Sequence, residues 1–309
     1  MKSYDIDPQL KILKPLRFQK YTDGRRRLMN GVNCFANFIS RPIFNVERKK
    51  IIIESYRQGK FKAEFLKLRD QIEKTPCILF LHGGGFQMEA TPIHLKMVTT
   101  MMVGTRYHAL YVHYRLAPKH PFPTSLEDAY HALLWLETNK EKLKISDIIV
   151  AGDSAGGNLA TALTLLSRDR NGPQITKQLL LYPVIDHRQT TKTMKSYVDT
   201  PMWNAVLNKS MWELYLRDGH HDMLPYASPN LADLHDLPEA YIETAEYDCL
   251  RDEGIMYAKQ LKAAGVKVTE NHTKRTVHGY DACFLSDLVK NLYNDRIRFL
   301  RGEPIHEEN

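Results

Sequence analysis

The chain has 309 residues, enough to bury a sizeable core in one large domain, and its 43% hydrophobic and 26% charged residues are ordinary for a globular protein. A net charge of +7 raises the question of a polyanion partner, but the basic residues are dispersed apart from Arg25-Arg26-Arg27 and Arg48-Lys49-Lys50. No nucleic-acid module accompanies those clusters, which argues against nucleic acid, and no pattern supports more than a loose attraction to anionic membrane surfaces.

No apolar run reaches signal or membrane-spanning length, so no stable membrane insertion is expected. Cys34, Cys77, Cys249 and Cys283 are widely separated. They lack metal-ligand spacing and suit a reducing cytoplasm better than a disulfide framework.

In chain order, the first forty-odd residues show no strand–helix alternation. Lys50–Tyr56 and Phe61–Leu68 then read as a hairpin joined near Gln58-Gly59. Short apolar runs that look like buried strands follow at Cys77–Leu81, Ala109–Val112, Ile148–Ala151, Gln178–Val184, Ala240–Glu246 and Val266–Glu270. Helical patterns separate them. Thr124–Asn139 carries Ala129, Leu133 and Leu136 on one face and opens with a capping box, Thr124 with Glu127. Arg251–Ala264 stops at Gly265. This alternation predicts an α/β sheet protein. The stretch from His187 to Pro225 is too long for an ordinary connection and holds Trp203 and Trp212. Together with about residues 1–45 it is expected to form a helical cap over the carboxyl ends of the strands, within a single domain spanning 1–309.

Gly152-Asp153-Ser154-Ala155-Gly156-Gly157 follows a strand and precedes a helical stretch. That is the context of a nucleophile elbow, with Ser154 lifted above the sheet at the positive end of a helix. His82-Gly83-Gly84-Gly85-Phe86 follows an earlier strand. The backbone N–H groups of Gly83 and Gly84, with that of Ala155, are expected to form an oxyanion hole, while His82 anchors the loop. A serine nucleophile needs a base, and the base an orienting acid. Asp248 stands at the exit of a strand and is favoured over Asp252 and Glu253, which fall in the first turn of the next helix. His278, beside Gly279 after the last strand, is favoured as base over His272. His220 and His221 with Asp222 suggest a solvated loop rather than a metal site, because adjacent histidines point apart. No metal site is expected.

Four stretches carry a resemblance to a known family: His82–Phe86, Tyr114-Arg115-Leu116-Ala117-Pro118, Gly152–Gly157, and Asp248–Gly254 with His278-Gly279. The chain resembles the hormone-sensitive-lipase-like esterases, the bacterial family IV lipolytic enzymes, over nearly its whole length. The resemblance implies an α/β-hydrolase fold with an eight-stranded, mostly parallel sheet and a helical cap, without a cofactor. It implies a carboxylesterase acting on short-chain esters, with Ser154, Asp248 and His278 as triad. Phe86, Tyr197, Trp203 and Trp212 are candidate pocket walls. Arg115 and the prolines of His120-Pro121-Phe122-Pro123 read as scaffold beside the site. The implied partner is a small-molecule ester, a homodimer is compatible, and the expected location is cytoplasmic. An amidase or arylformamidase on the same fold remains an alternative. So does a small-ligand receptor, although the family-like receptor lacks the histidine present here as His278. The basic amino-terminal region is not something the family implies.

Overall fold

Eight apolar or alternating segments form one sheet, in the order β1-β2-β4-β3-β5-β6-β7-β8. The computed structural model describes residues 2–19, 22–40, 45–219 and 221–305. The strands are β1 (Val46–Ser55), β2 (Gly59–Leu68), β3 (Thr75–Leu81), β4 (His108–His113), β5 (Ile145–Asp153), β6 (Lys177–Leu181), β7 (Glu239–Tyr247) and β8 (Val268–Val277). β1 pairs antiparallel with β2, and β2 with β4; every other pairing is parallel. The central strands are buried on both faces, which is why β3 reads as an unbroken apolar run.

The helices are α1 (Asp23–Ile39), α2 (Pro92–Thr105), α3 (Thr124–Asn139), α4 (Ala155–Asp169), α5 (Lys192–Ser196), α6 (Ala205–Tyr215), α7 (Leu224–Ala227), α8 (Arg251–Ala263) and α9 (Asp287–Arg301). One face of the sheet sends Cys77, Leu79 and Leu81 into a core shared with α3, α4 and α8. The other sends Ile78 and Phe80 into a core shared with α2, α9 and residues 4–13. None of the helices among the described residues is long and apolar enough to cross a membrane.

Three sequence expectations needed correction. The capping box does not form: Pro123 precedes α3, and no side chain caps it. The Glu127 carboxylate instead receives both terminal nitrogens of Arg170, at 2.9 and 2.6 Å, so a distant cation outcompetes the local turn. β6 stops three residues early, because Tyr182 takes φ +35° and Pro183 has no N–H to offer a ladder. β8 starts later and runs seven residues further than expected. It is an edge strand whose outward residues are polar, so no apolar run marks it.

The two segments set apart by the sequence meet each other. Asn204 Nδ2 donates to the Phe18 carbonyl at 2.7 Å, the Met202 N–H to the Leu16 carbonyl at 2.7 Å, and Arg17 pairs with Asp199 at 3.2 Å. α1 lies over the loop after β3: Asn30 Nδ2 donates to the Gln87 carbonyl and Asn30 Oδ1 accepts from the Glu89 N–H, both at 2.9 Å. Asn33 and Asn37 reach the next carbonyls, those of Glu89 and Ala90.

Candidate active site

The loops that leave the carboxyl ends of β3, β5, β7 and β8 converge above the sheet. At the end of β5 the chain turns at Ser154 with φ +55° and ψ −119°, a strained region for a residue with a side chain. The turn leaves no space around its glycines: a Cβ on Gly152 would stand 2.3 Å from the Gly156 carbonyl oxygen, and one on Gly156 would stand 2.0 Å from that of Leu81. Crowding fixes Ser154 at the amino end of α4, where the peptide dipoles favour developing negative charge.

Strand exits deliver the other two groups. His278, one residue past β8, places Nε2 2.9 Å from Ser154 Oγ. Its Nδ1 lies 2.7 Å from Asp248 Oδ2, and Asp248 Oδ1 accepts the Leu250 N–H at 3.0 Å. All three side chains are buried. The rivals are occupied elsewhere. Asp252 Oδ2 accepts the Thr193 N–H at 3.0 Å, and His272 spans Thr244 and Glu270 near the surface.

Glu253 is buried and accepts the Ile185 N–H through Oε1 at 2.7 Å, while Oε2 has no partner among the described residues. Burial pushes its carboxyl well above the usual range, and nearby Asp186 and Asp248 add to this. The folded state therefore holds a proton that the unfolded chain releases near the ordinary carboxylate pKa of about 4.3. Stability contributed by the protonated form is lost as pH rises through the window between the two values. Glu253→Gln cannot ionise and should melt roughly 2–6 °C above wild type at about pH 8, the two curves meeting near pH 4. Thermal unfolding at both pH values checks this, and a lower melting temperature at the higher pH would contradict it.

The loop after β3 supplies backbone donors, but not the pair expected. The Gly83 N–H points at Asp153 Oδ1, 2.9 Å away, so it is committed to tying the loop to the elbow. The sequence places Asp153 beside the serine but does not reveal that its carboxylate takes the first glycine's donor. Gly84 and Gly85 adopt φ +113° and +60°, and among the described residues their N–H groups, like that of Ala155, make no hydrogen bond. Gly85 is not among the donors expected from the sequence. His82 Nδ1 lies 2.7 Å from the Gly83 carbonyl, and its ring stacks on Tyr114 with centroids 4.4 Å apart. Burial, with His94 nearby, lowers its pKa to about 3, so it stays neutral. Arg115 grips Asp128 with its guanidinium, closest at 2.7 Å, and the Ala117 N–H donates to the Phe86 carbonyl at 2.8 Å, which braces the loop from behind.

Three of the four candidate pocket aromatics gather here. Trp203 has its ring 6.0 Å from that of His278, and its Cη2 would stand 2.9 Å from a Cβ on Gly85. Phe86 stacks on Tyr215 at 3.7 Å, and Trp212 flanks Phe86 at 6.1 Å. Tyr197 instead packs against Tyr4 and Tyr247, with centroids 5.8 and 6.4 Å away. No group of three or more metal-ligating side chains comes together among the described residues, and His220 lies outside them.

Comparison with known proteins identifies the fold and the family. A family model described as the alpha/beta hydrolase fold matches residues 78–282. The chain is 39% identical over 215 residues to the esterase LipI of Mycobacterium tuberculosis, covering 68% of this chain and 67% of that one. It is 37% identical over 214 residues to the carboxylesterase NlhH of the same species, covering 67% of each. Among solved structures it is similar to a bacterial heroin esterase, with a TM-score of 0.89 and 29% identity across 96% of this chain and 98% of that one. The chain thus belongs to the α/β-hydrolase family, in its hormone-sensitive-lipase-like esterase branch.

Proposed function

We propose that Ser154, His278 and Asp248 carry a two-step acyl transfer by which this ester hydrolase cleaves small carboxylic esters with short acyl chains. The observation that carries the reading is the continuous hydrogen-bonded line from Ser154 Oγ through the imidazole to the Asp248 carboxylate.

Ser154 Oγ attacks the ester carbonyl while His278 Nε2 takes its proton. Asp248 accepts the Nδ1–H, which holds the imidazole in the tautomer whose Nε2 is free to act as base and stabilises the imidazolium that forms. The tetrahedral oxyanion receives the N–H groups of Gly84, Gly85 and Ala155, which have no competing partner among the described residues. His278 then protonates the departing alcohol. Water, deprotonated by the same nitrogen, releases the acid and restores Ser154.

Short acyl groups fit the crowding near the reacting carbon. Trp203 and Met211 are buried and close over Gly85, which supports a shallow acyl site. Hydrolysis of p-nitrophenyl esters from acetate to palmitate tests this. kcat/KM should peak at the short esters and fall about tenfold or more toward the long ones, since a chain that cannot be buried forfeits its transfer energy. A maximum at the long esters would overturn the chain-length reading while leaving the triad in place.

A further inference from the structure

α1 is amphipathic, yet it is seated the wrong way round for a core helix. At 3.6 residues per turn, Arg26, Asn30, Asn33 and Asn37 share one face, and that polar face is turned inward. Its asparagines hold the backbone of Gln87, Glu89 and Ala90. The opposite face carries Leu28, Val32, Phe35 and Ile39, which are 69, 59, 65 and 59% exposed. Four large apolar side chains at i, i+4, i+7 and i+11 thus form one stripe along the outside of the molecule. A contiguous exposed stripe of this kind marks an interaction surface rather than scattered surface apolarity.

The charge around the stripe decides among possible occupants. Arg25 and Arg27 are exposed on its flanks, and the helix's one acid, Asp23, already pairs with Arg26. Along the polar side of α1 opens a groove of about 930 Å³ whose lining includes nine Lys and Arg side chains and two carboxylates. Arg26, Arg48, Lys60, Arg115 and Arg217 pair with Asp23, Glu64, Glu54, Asp128 and Asp218, while Arg27, Lys62 and Lys119 add exposed positive charge. Ser154, Asp248 and His278 do not line it. Two copies of the chain brought together here would press like charges against each other. An anionic surface that also accepts apolar side chains satisfies both features at once.

We propose that the outer face of α1 docks the enzyme peripherally on anionic lipid surfaces. Leu28, Val32, Phe35 and Ile39 enter the headgroup–acyl boundary, and the flanking cations meet the headgroups. Because the inward face of α1 holds the segment that follows Gly83–Gly85, the docked helix sits directly over the loop beside Ser154.

Co-sedimentation of the full chain with phosphatidylcholine vesicles, with and without phosphatidylglycerol, tests the proposal. Wild type should pellet with the anionic vesicles and release as salt is raised. The Val32→Asp/Phe35→Asp variant should partition about a hundredfold more weakly, with circular dichroism and hydrolysis of a soluble ester unchanged. Arg25→Gln/Arg27→Gln, which keeps the stripe, should lose most of the preference for anionic over neutral vesicles. Wild type remaining in the supernatant, or an aspartate variant that pellets like wild type, would overturn the proposal. So would a wild-type dimer that the aspartates dissolve without any lipid affinity, since the stripe would then be covered by a second copy.

Discussion

Replacing Ser154 by alanine should lower kcat on p-nitrophenyl acetate by about a millionfold, with thermal stability almost unchanged. Ser154 Oγ lies 2.9 Å from His278 Nε2, and its removal leaves binding and the backbone N–H groups of Gly84, Gly85 and Ala155. Those groups alone retain roughly 10³–10⁴-fold catalysis over water. His278→Ala should fall to a similar floor, and the double variant no lower, because the two residues act as one unit. Single-turnover assays on active-site-titrated protein measure this. An S154A variant retaining more than about 1% of wild-type kcat would transfer the nucleophile's role elsewhere.

Arg296→Ala should cost roughly 3–5 kcal/mol of folding stability. The guanidinium is wholly buried and meets Glu243 Oε1 at 2.5 Å and Asp281 Oδ1 at 2.6 Å. Tyr182 donates to Asp281 Oδ2 at 2.6 Å, and its ring lies edge-on to His278 with centroids 4.9 Å apart. Burial alone would raise the Asp281 carboxyl, but Arg296, helped by the Tyr182 hydroxyl, holds it below the usual range. A depressed folded pKa contributes stability that is present above the unfolded value and lost as pH falls through the folded one. Without Arg296 the carboxylates are buried and unpaired, so the damage should be greatest at neutral pH. It should shrink toward about pH 4, where protonation neutralises them. Urea unfolding across that pH range checks both magnitude and slope, and a deficit that grows on acidification would contradict the assignment. Arg296→Met combined with Glu243→Gln and Asp281→Asn should be milder than Arg296→Ala alone, because no uncompensated charge remains.

What could be read from the sequence followed from how local each cause is. The buried strands announce themselves as apolar runs, and Gly152 and Gly156 can be explained by the tightness of one turn. Ser154, Asp248 and His278 could each be singled out because every one sits beside a strand end. Causes that act across the chain were invisible. Asp153 takes the Gly83 donor from 70 positions away, and Arg170 draws Glu127 out of its capping role from 43 away. The Arg296 cluster joins residues on β7, the turn after β8 and α9, none of which forms a recognisable motif. The orientation of α1 was also hidden. Periodicity identifies an apolar face but not the side on which the rest of the molecule lies, and here three asparagines decide it.

The order of the strands leaves β1 and β8 at the two margins of the sheet. β1 bears Glu47, Arg48, Lys49, Lys50 and Glu54, and β8 bears Glu270, His272, Lys274 and Arg275. A strand from another molecule could reach the unpaired backbone groups at either margin only by crowding its side chains among these charges. Arg275 adds a further obstacle, since its φ of +56° breaks the regular run of β8. Concentrated protein is therefore protected against runaway strand-by-strand aggregation at both margins, even though β3 at the centre of the sheet is an almost unbroken apolar run.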